Sequence, residues 1–243
     1  MNKTKEFEDR NKKYIKLMAQ DKTFRNLSLK WFIKSSKYEY SYHFSWLGRP
    51  IIQFPQDVVA VQEIIWKVKP DLIIETGIAH GGSLILSASI LELIGHGEVL
   101  GIDIDIRKHN RIEIEKHTMY KRITMIQGSS VDKNIVKKVN QFAKDKKRIL
   151  VFLDSNHSHQ HVLKEMQLYS PLVKRGCYMI VFDTADDYLP SSFFKNRPWS
   201  KGNNPKTAVL EFLKTNKRFK RDEEIENKLL ISECSFGYLK CVK

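Results

Sequence analysis

The chain has 243 residues, 42% of them hydrophobic, which suits one large α/β domain with an appendage. Its apolar run Leu84 to Ile94 is too short for a membrane span and contains Glu92, and the charged stretch Met1 to Lys13 reads against a secretory signal. Lys and Arg outnumber Asp and Glu by 42 to 28, a net charge of +14, and Cys177, Cys234 and Cys241 lack metal-type spacing, so they read as reduced thiols of a cytoplasmic protein.

Residues 1–55 read as a helical and aromatic cap, with Phe7, Tyr14, Ile15 and Met18 at helical spacing. The first fifty residues hold 12 basic against 5 acidic residues. Such an arm suits an anionic partner: nucleic acid, a membrane surface or a phosphorylated substrate. The plainer reading is a solvated lysine-rich surface. Next comes an aromatic stretch, Tyr38, Tyr40, Tyr42, Phe44, Trp46 and Phe54, broken by Gly48 and Pro50. Aromatic loops pack into cores or form walls for sugar rings. Asp57 to Val68 is predicted as a helix with Asp57 as its N-cap, stopped by Pro70.

Residues 56–243 then alternate strand and helix. The predicted strands are Leu72–Glu75, Val99–Ile104, Ile123–Gln127, Ile149–Asp154, Tyr178–Asp183, Arg218–Asp222 and Lys228–Ile231. This alternation predicts a doubly wound, mostly parallel sheet. The first strand ends in Glu75 and opens through Gly77, Gly81, Gly82 and Ser83 into an apolar helix. Glycines allow close backbone approach, and free helix N–H groups point at a nucleotide-like ligand. An acid before this loose glycine spacing resembles the first motif of S-adenosylmethionine (AdoMet) methyltransferases. Asp103 closes the second strand 26 residues after Gly77, about where an acid takes ribose hydroxyls. A lone strand-end Asp more often caps a helix. The ordered series of strand, turn, helix, strand and acid favours the cofactor reading.

Asp154 and Asp183 end the fourth and fifth strands with no Lys or Arg beside them. Such a pair suits a hard divalent cation such as Mg²⁺. His157, His159 and His161 alternate, and a helix predicted from Asn156 to Tyr169 pairs His157 with His161 and turns His159 elsewhere. His157, one turn beyond Asp154, is the candidate general base. The loop from Asp186 to Asn204 is long enough to be functional or disordered.

The stretches Tyr40–Pro50, Pro55–Asp57, Pro70–Ser83, Leu153–Val162 and Gly237–Lys240 resemble the cephalosporin hydroxylase family, over roughly residues 38–241. The resemblance implies a Rossmann-like class I AdoMet-dependent O-methyltransferase, a group that includes rhamnosyl O-methyltransferases. It implies AdoMet on Glu75, Gly77, Gly81, Gly82, Ser83 and Asp103, with Ser130 near the adenine. It implies Mg²⁺ on Asp154, Asp183 and Thr184, and puts His157 where catechol-type relatives carry a lysine base. Trp46, Arg49 and His161 are assigned to the acceptor, expected to be a sugar hydroxyl on a surface-polysaccharide or glycolipid precursor carrying phosphate. A homo-oligomer and peripheral membrane contact through the basic N-terminus are expected, and nucleic acid is not. Two positions depart from the family: Phe182 replaces a glutamate, and Gly202-Asn-Asn-Pro205 replaces Gly-Pro-Gly-Pro.

Other classes fit less well. A natural-product O-methyltransferase differs only in its acceptor. An iron oxygenase would need a His-x-acid pair, and the only one, His96-Gly97-Glu98, falls at the wrong end of the sheet. A nucleic-acid methylase lacks an Asn-Pro-Pro-aromatic motif. A scaffold without chemistry would not need Glu75, Asp103, Asp154 and Asp183 together.

Overall fold

The structure is a computed structural model that describes residues 3–243. Asp21 divides the N-terminal helical pattern into α1 (Lys3–Gln20) and α2 (Lys22–Ser36), its carboxylate accepting from the Phe24 amide at 2.9 Å. The aromatic stretch that follows contains a hairpin, β1 (Phe44–Trp46) and β2 (Arg49–Ile51). It turns on Leu47 and Gly48, both at positive φ (45° and 85°), which matches the twist of the strands.

The next helix, α3 (Pro55–Val68), starts with Pro55 in its first turn and Phe54 as N-cap. Asp57 is therefore not the cap that its position suggests. It is buried and accepts from Ser232 Oγ (2.6 Å), the Glu233 amide (2.9 Å) and Tyr238 Oη (2.5 Å). A helix start that needs no side-chain cap leaves this carboxylate free to tie α3 to the C-terminal segment.

The remaining elements are β3 (Leu72–Thr76), α4 (Gly82–Ile94), β4 (Glu98–Asp103), α5 (Lys108–Glu115), β5 (Ile123–Gln127), α6 (Lys133–Ala143), β6 (Ile149–Leu153), α7 (His159–Tyr169), β7 (Tyr178–Val181), α8 (Pro205–Thr215), β8 (Phe219–Arg221), α9 (Glu223–Leu229) and β9 (Tyr238–Cys241). The seven strands order as β5-β4-β3-β6-β7-β9-β8. The first five are parallel, and β9 enters antiparallel to both β7 and β8. Both β3 and β6 are buried at every position, as expected of apolar runs covered on both faces. Chain order reverses between these two strands, and a crevice opens beyond their carboxyl ends.

Several boundaries differ from the sequence reading. Lys228–Ile231 is not a strand. Asp222 accepts from the Ile225 amide at 3.4 Å, and Glu223, Glu224 and Glu226 fill the first turn, so a helix starts there instead. The last strand is β9. The helix predicted from Asn156 begins only at His159, so His157 precedes it. The long loop is ordered, with 3-10 turns at Thr184–Tyr188 and Ser191–Phe194. Its Leu189 and Phe194 join Phe32 of α2, Phe54 and Ala185 in a second small core. Asn204 closes it with a capping box on α8.

The Asp57 junction has a measurable signature. Burial pushes its carboxyl up to about 6 despite three donors. Folding thus favours the protonated acid, and its contribution is full below about pH 4 and lost as pH rises through about 6. Asp57→Ala should cost about 3 kcal/mol at pH 4 by urea unfolding, and the deficit should narrow by pH 8.

Candidate active site at the carboxyl ends of the central strands

A cleft of ≈ 780 Å³ lies over the ends of β3, β4, β6 and β7, with α2, the residues flanking the hairpin and the long loop as its outer wall. On one side lies the glycine turn. Gly77 has φ +91°, and a Cβ there would sit 2.0 Å from the Asp154 carbonyl oxygen. Only glycine lets the exit of β3 pass that of β6 so closely. A Cβ on Gly82 would meet the Pro50 carbonyl oxygen at 2.2 Å. Gly81 also has positive φ, and it lines the cleft with Gly77, Gly82 and Ser83.

Asp103 braces this turn. One of its oxygens accepts from the Ile78 amide at 2.7 Å and the Ala79 amide at 3.4 Å, and the other from the Asp105 amide at 3.0 Å. It still lines the cleft, and the oxygen facing Asp105 retains acceptor capacity. Glu75 lies in the core beneath. Ser83 Oγ donates to one of its oxygens, the other has no partner, and burial pushes its carboxyl up to about 8. Ser130, 5% exposed, lines the cleft and bonds His161 Nε2 at 3.1 Å.

On the other side Asp154, His157 and Asp183 each offer a ligand atom, all within 4.8 Å of one another. His157 Nδ1 lies 3.2 Å from Asp183 Oδ2, and its ring stands edge-on to Trp199, centroids 4.7 Å apart. Asp183 has φ +54°, an unfavourable conformation for a non-glycine residue and one that clusters at functional sites. Enclosure raises the Asp154 carboxyl well above the usual range, with Asp183 and Glu75 adding like charge. Burial and then Asp183 push Asp186 up to about 8, and Glu233 rises for the same two reasons. These four clustered carboxyls, with His157 beside them, fit a divalent cation, which would offset their repulsion.

Three assignments from the sequence need correction. Thr184 lies outside the cleft: its buried hydroxyl donates to the Ser235 carbonyl, with the Glu233 carbonyl at 3.3 Å. Trp46 lies outside the cleft, with Nε1 donating to Ser89 Oγ at 3.0 Å while the ring packs on the main core. Arg49 is a clamp on the glycine turn. Its guanidinium donates to the His80 carbonyl (3.0 and 2.7 Å) and to Asn110 Oδ1 (3.2 Å), while Asn110 holds the Ala79 carbonyl at 2.9 Å. His161 lines the cleft, but it is engaged with Ser130, with Ser155 Oγ (3.2 Å) and with the buried Glu165 (3.5 Å).

His159 does point elsewhere, to Thr207 and Glu211 of α8. His96 and Glu98 do lie at the opposite end of the sheet, His96 beside the Lys69 carbonyl and Glu98 paired with Lys146. Phe182 meets Phe152 edge-on at 6.1 Å, so apolar contact stands where the family resemblance implies a carboxylate. The sequence reading missed Asp186, Glu233, Arg197 and Gln53. Arg197 lines the cleft, stacked over Phe193 (4.6 Å) and Trp199 (5.1 Å) and bonded to Tyr42. Gln53 is 3% exposed and lines the cleft with its Oε1 unpartnered. No motif marks any of the four; only their placement against Asp183 or the turn does.

The family model for Rhamnosyl O-methyltransferase/CmcI matches residues 38–242. A Rhamnosyl O-methyltransferase of Mycobacterium bovis is 32% identical over 130 residues, 53% of this chain and 51% of that protein. One from Mycobacterium leprae is 30% identical over 142 residues, 58% of this chain and 60% of that one. The chain thus spans about half the length of the curated relatives it matches. The apo-structure of CmcI superposes with a TM-score of 0.59 at 18% identity, covering 83% of this chain and 77% of that one. An O-methyltransferase from Bacillus cereus superposes at 0.51 and 16% identity, covering 89% and 90%. The fold is therefore that of these methyltransferases.

The crowded carboxyls predict opposite effects on stability and on cation binding. Asp154→Asn should raise the metal-free unfolding free energy at neutral pH by about 1–2 kcal/mol, because the amide needs no proton to be enclosed beside Asp183. The same change should abolish the rise in Tm that Mg²⁺ or Mn²⁺ gives the unsubstituted chain. Thermal scans with and without EDTA read both.

Proposed function

The chain belongs to the Rhamnosyl O-methyltransferase/CmcI family, and on that premise we propose that it transfers the methyl group of AdoMet to a sugar hydroxyl. One observation carries the reading: the braced glycine turn with Asp103 and the Asp154–His157–Asp183 cluster open into one cleft. Relatives give support: the M. bovis and M. leprae proteins are rhamnosyl O-methyltransferases, and one CmcI structure holds Mg and SAM.

When bound, AdoMet supplies an electrophilic methyl group, and Mg²⁺ supplies charge that orients the acceptor oxygens. Asp103 and the backbone of Gly77 to Gly81 are suited to hold the cofactor's ribose and methionine ends, and Ser130 its adenine. Asp154 and Asp183 are suited to hold the cation. Asp183 has two oxygens, so Oδ2 can receive the Nδ1 proton of His157 while Oδ1 remains free. That contact fixes the tautomer with Nε2 unprotonated, and Nε2 takes the proton of the acceptor hydroxyl as the methyl group moves. Tyr42, Phe54, Leu189 and Phe193 line the outer wall and exclude water.

We assign the acceptor to a surface-polysaccharide or glycolipid precursor bearing phosphate or carboxylate. Arg197, not Arg49, is the cation placed to read that charge, since its guanidinium lines the cleft on a loop stacked beside His157. In this reading the segment from Phe32 to Phe54 caps the acceptor side.

Labelled AdoMet offered with nucleotide-linked and lipid-linked deoxyhexoses tests the assignment. Label is expected in those fractions, and label found only in a neutral polyketide would end it. His157→Ala should cut turnover about 10²–10⁴-fold with AdoMet affinity nearly intact. Arg197→Ala should raise KM for a charged acceptor about ten-fold, the worth of one charge-assisted contact, and leave a neutral one unchanged.

A further inference from the structure

Helix α2 has two apolar faces. Ser28 and Phe32 are buried on the inner face, and Phe32 and Ser36 line the cleft. The adjoining side carries Phe24, Leu27 and Trp31, whose ring edge also meets Tyr40 (5.0 Å) and Phe54 (6.0 Å), with Tyr38 just past the helix end. Spacings of three and four residues place Phe24, Leu27 and Trp31 on one side. Phe24, Leu27, Trp31 and Tyr38 are 42%, 61%, 39% and 68% exposed. Helix α1 adds Phe7, Tyr14 and Leu17, again largely exposed. Lys22, Arg25, Lys30 and Lys34 share α2 with no acid, and α1 and α2 together hold 10 basic residues against 3 acidic ones.

We propose that this exposed side docks on an anionic lipid bilayer, with α2 lying in the plane of the interface. An amphipathic helix with Trp, Phe and Leu on one side and flanking Lys and Arg has the composition of such helices. Charge decides against a second copy of the chain: a two-fold contact through α2 would set a basic, acid-free helix against its own image, whereas anionic headgroups neutralise the same lysines. Among the described residues no helix is long and apolar enough to cross a membrane. Because Phe32 and Ser36 of the same helix line the cleft, docking holds the cleft beside the lipid surface. The membrane contact stands without the methyl-transfer reading. Only its consequence, an acceptor presented on a lipid carrier, rests on that reading.

The full chain is sedimented with vesicles of phosphatidylcholine alone or mixed equally with phosphatidylglycerol. Binding is expected to the anionic vesicles, to weaken with salt, and to fall about ten-fold or more in Leu27→Glu/Trp31→Glu. Both residues are exposed, and unchanged circular dichroism and Tm confirm that the variant folds. Lys30→Glu/Lys34→Glu should lose anionic binding with the apolar face intact. No binding to anionic vesicles overturns the proposal, as does equal binding by the Leu27/Trp31 variant. So does a lipid-free dimer that this variant dissolves, since a second copy would then own the face. AdoMet calorimetry on the same samples separates the two readings: lost AdoMet binding in the unsubstituted chain removes methyl transfer and leaves the vesicle result standing.

Discussion

Everything in the site depends on one close approach, where the chain leaves β3 beside the end of β6. No side chain fits at Gly77, because the Asp154 carbonyl already occupies the space of a Cβ. The two strands can therefore release their loops in opposite directions from nearly the same point. One loop becomes the nucleotide-type turn and the other carries Asp154 toward His157. A larger residue at 77 would part the two halves of the cleft, whatever the quality of the individual side chains.

Around that point the molecule holds features that cost stability. Asp183 and Ala79 adopt left-handed backbone. Glu75 keeps a buried oxygen without a partner, and four carboxyls crowd the far side. Unfavourable backbone and unpaired charge tend to collect where ligands bind, because a bound ligand can offset them. The core has few such features: apolar strands β3 and β6 sit between covered faces, and no described cysteine forms a disulfide.

The sheet was legible in the sequence because buried parallel strands leave unbroken apolar runs, and the strand ends fell within two residues of the readings for the five central strands. Asp154, Asp183 and His157 were legible because strand-end position implies proximity in this topology. Failures came where local pattern and tertiary demand diverge. Asp57 looks like a cap and serves as a cross-link to the chain's end. Lys228–Ile231 has a strand's composition, but a helix with an acidic first turn runs through Leu229 and ends at Leu230. Arg49 and Trp46 sit in a family-like motif, yet their partners are His80, Asn110 and Ser89. Glu233 and Arg197 carry no local signal, since only the return of a distant segment brings either to the cleft.

The Arg49 clamp carries a thermodynamic implication. Its guanidinium belongs to the hairpin, while the carbonyl it grips belongs to the glycine turn. The residues flanking that hairpin, Tyr40, Tyr42 and Phe54, form the opposite wall of the cleft. A ligand that stills the turn thus also stills the wall, and one that presses on the wall reports back to the turn. Two ligands occupying such a cleft are energetically linked. Each raises the affinity of the other by the same factor, whichever arrives first, and a single arginine transmits the effect.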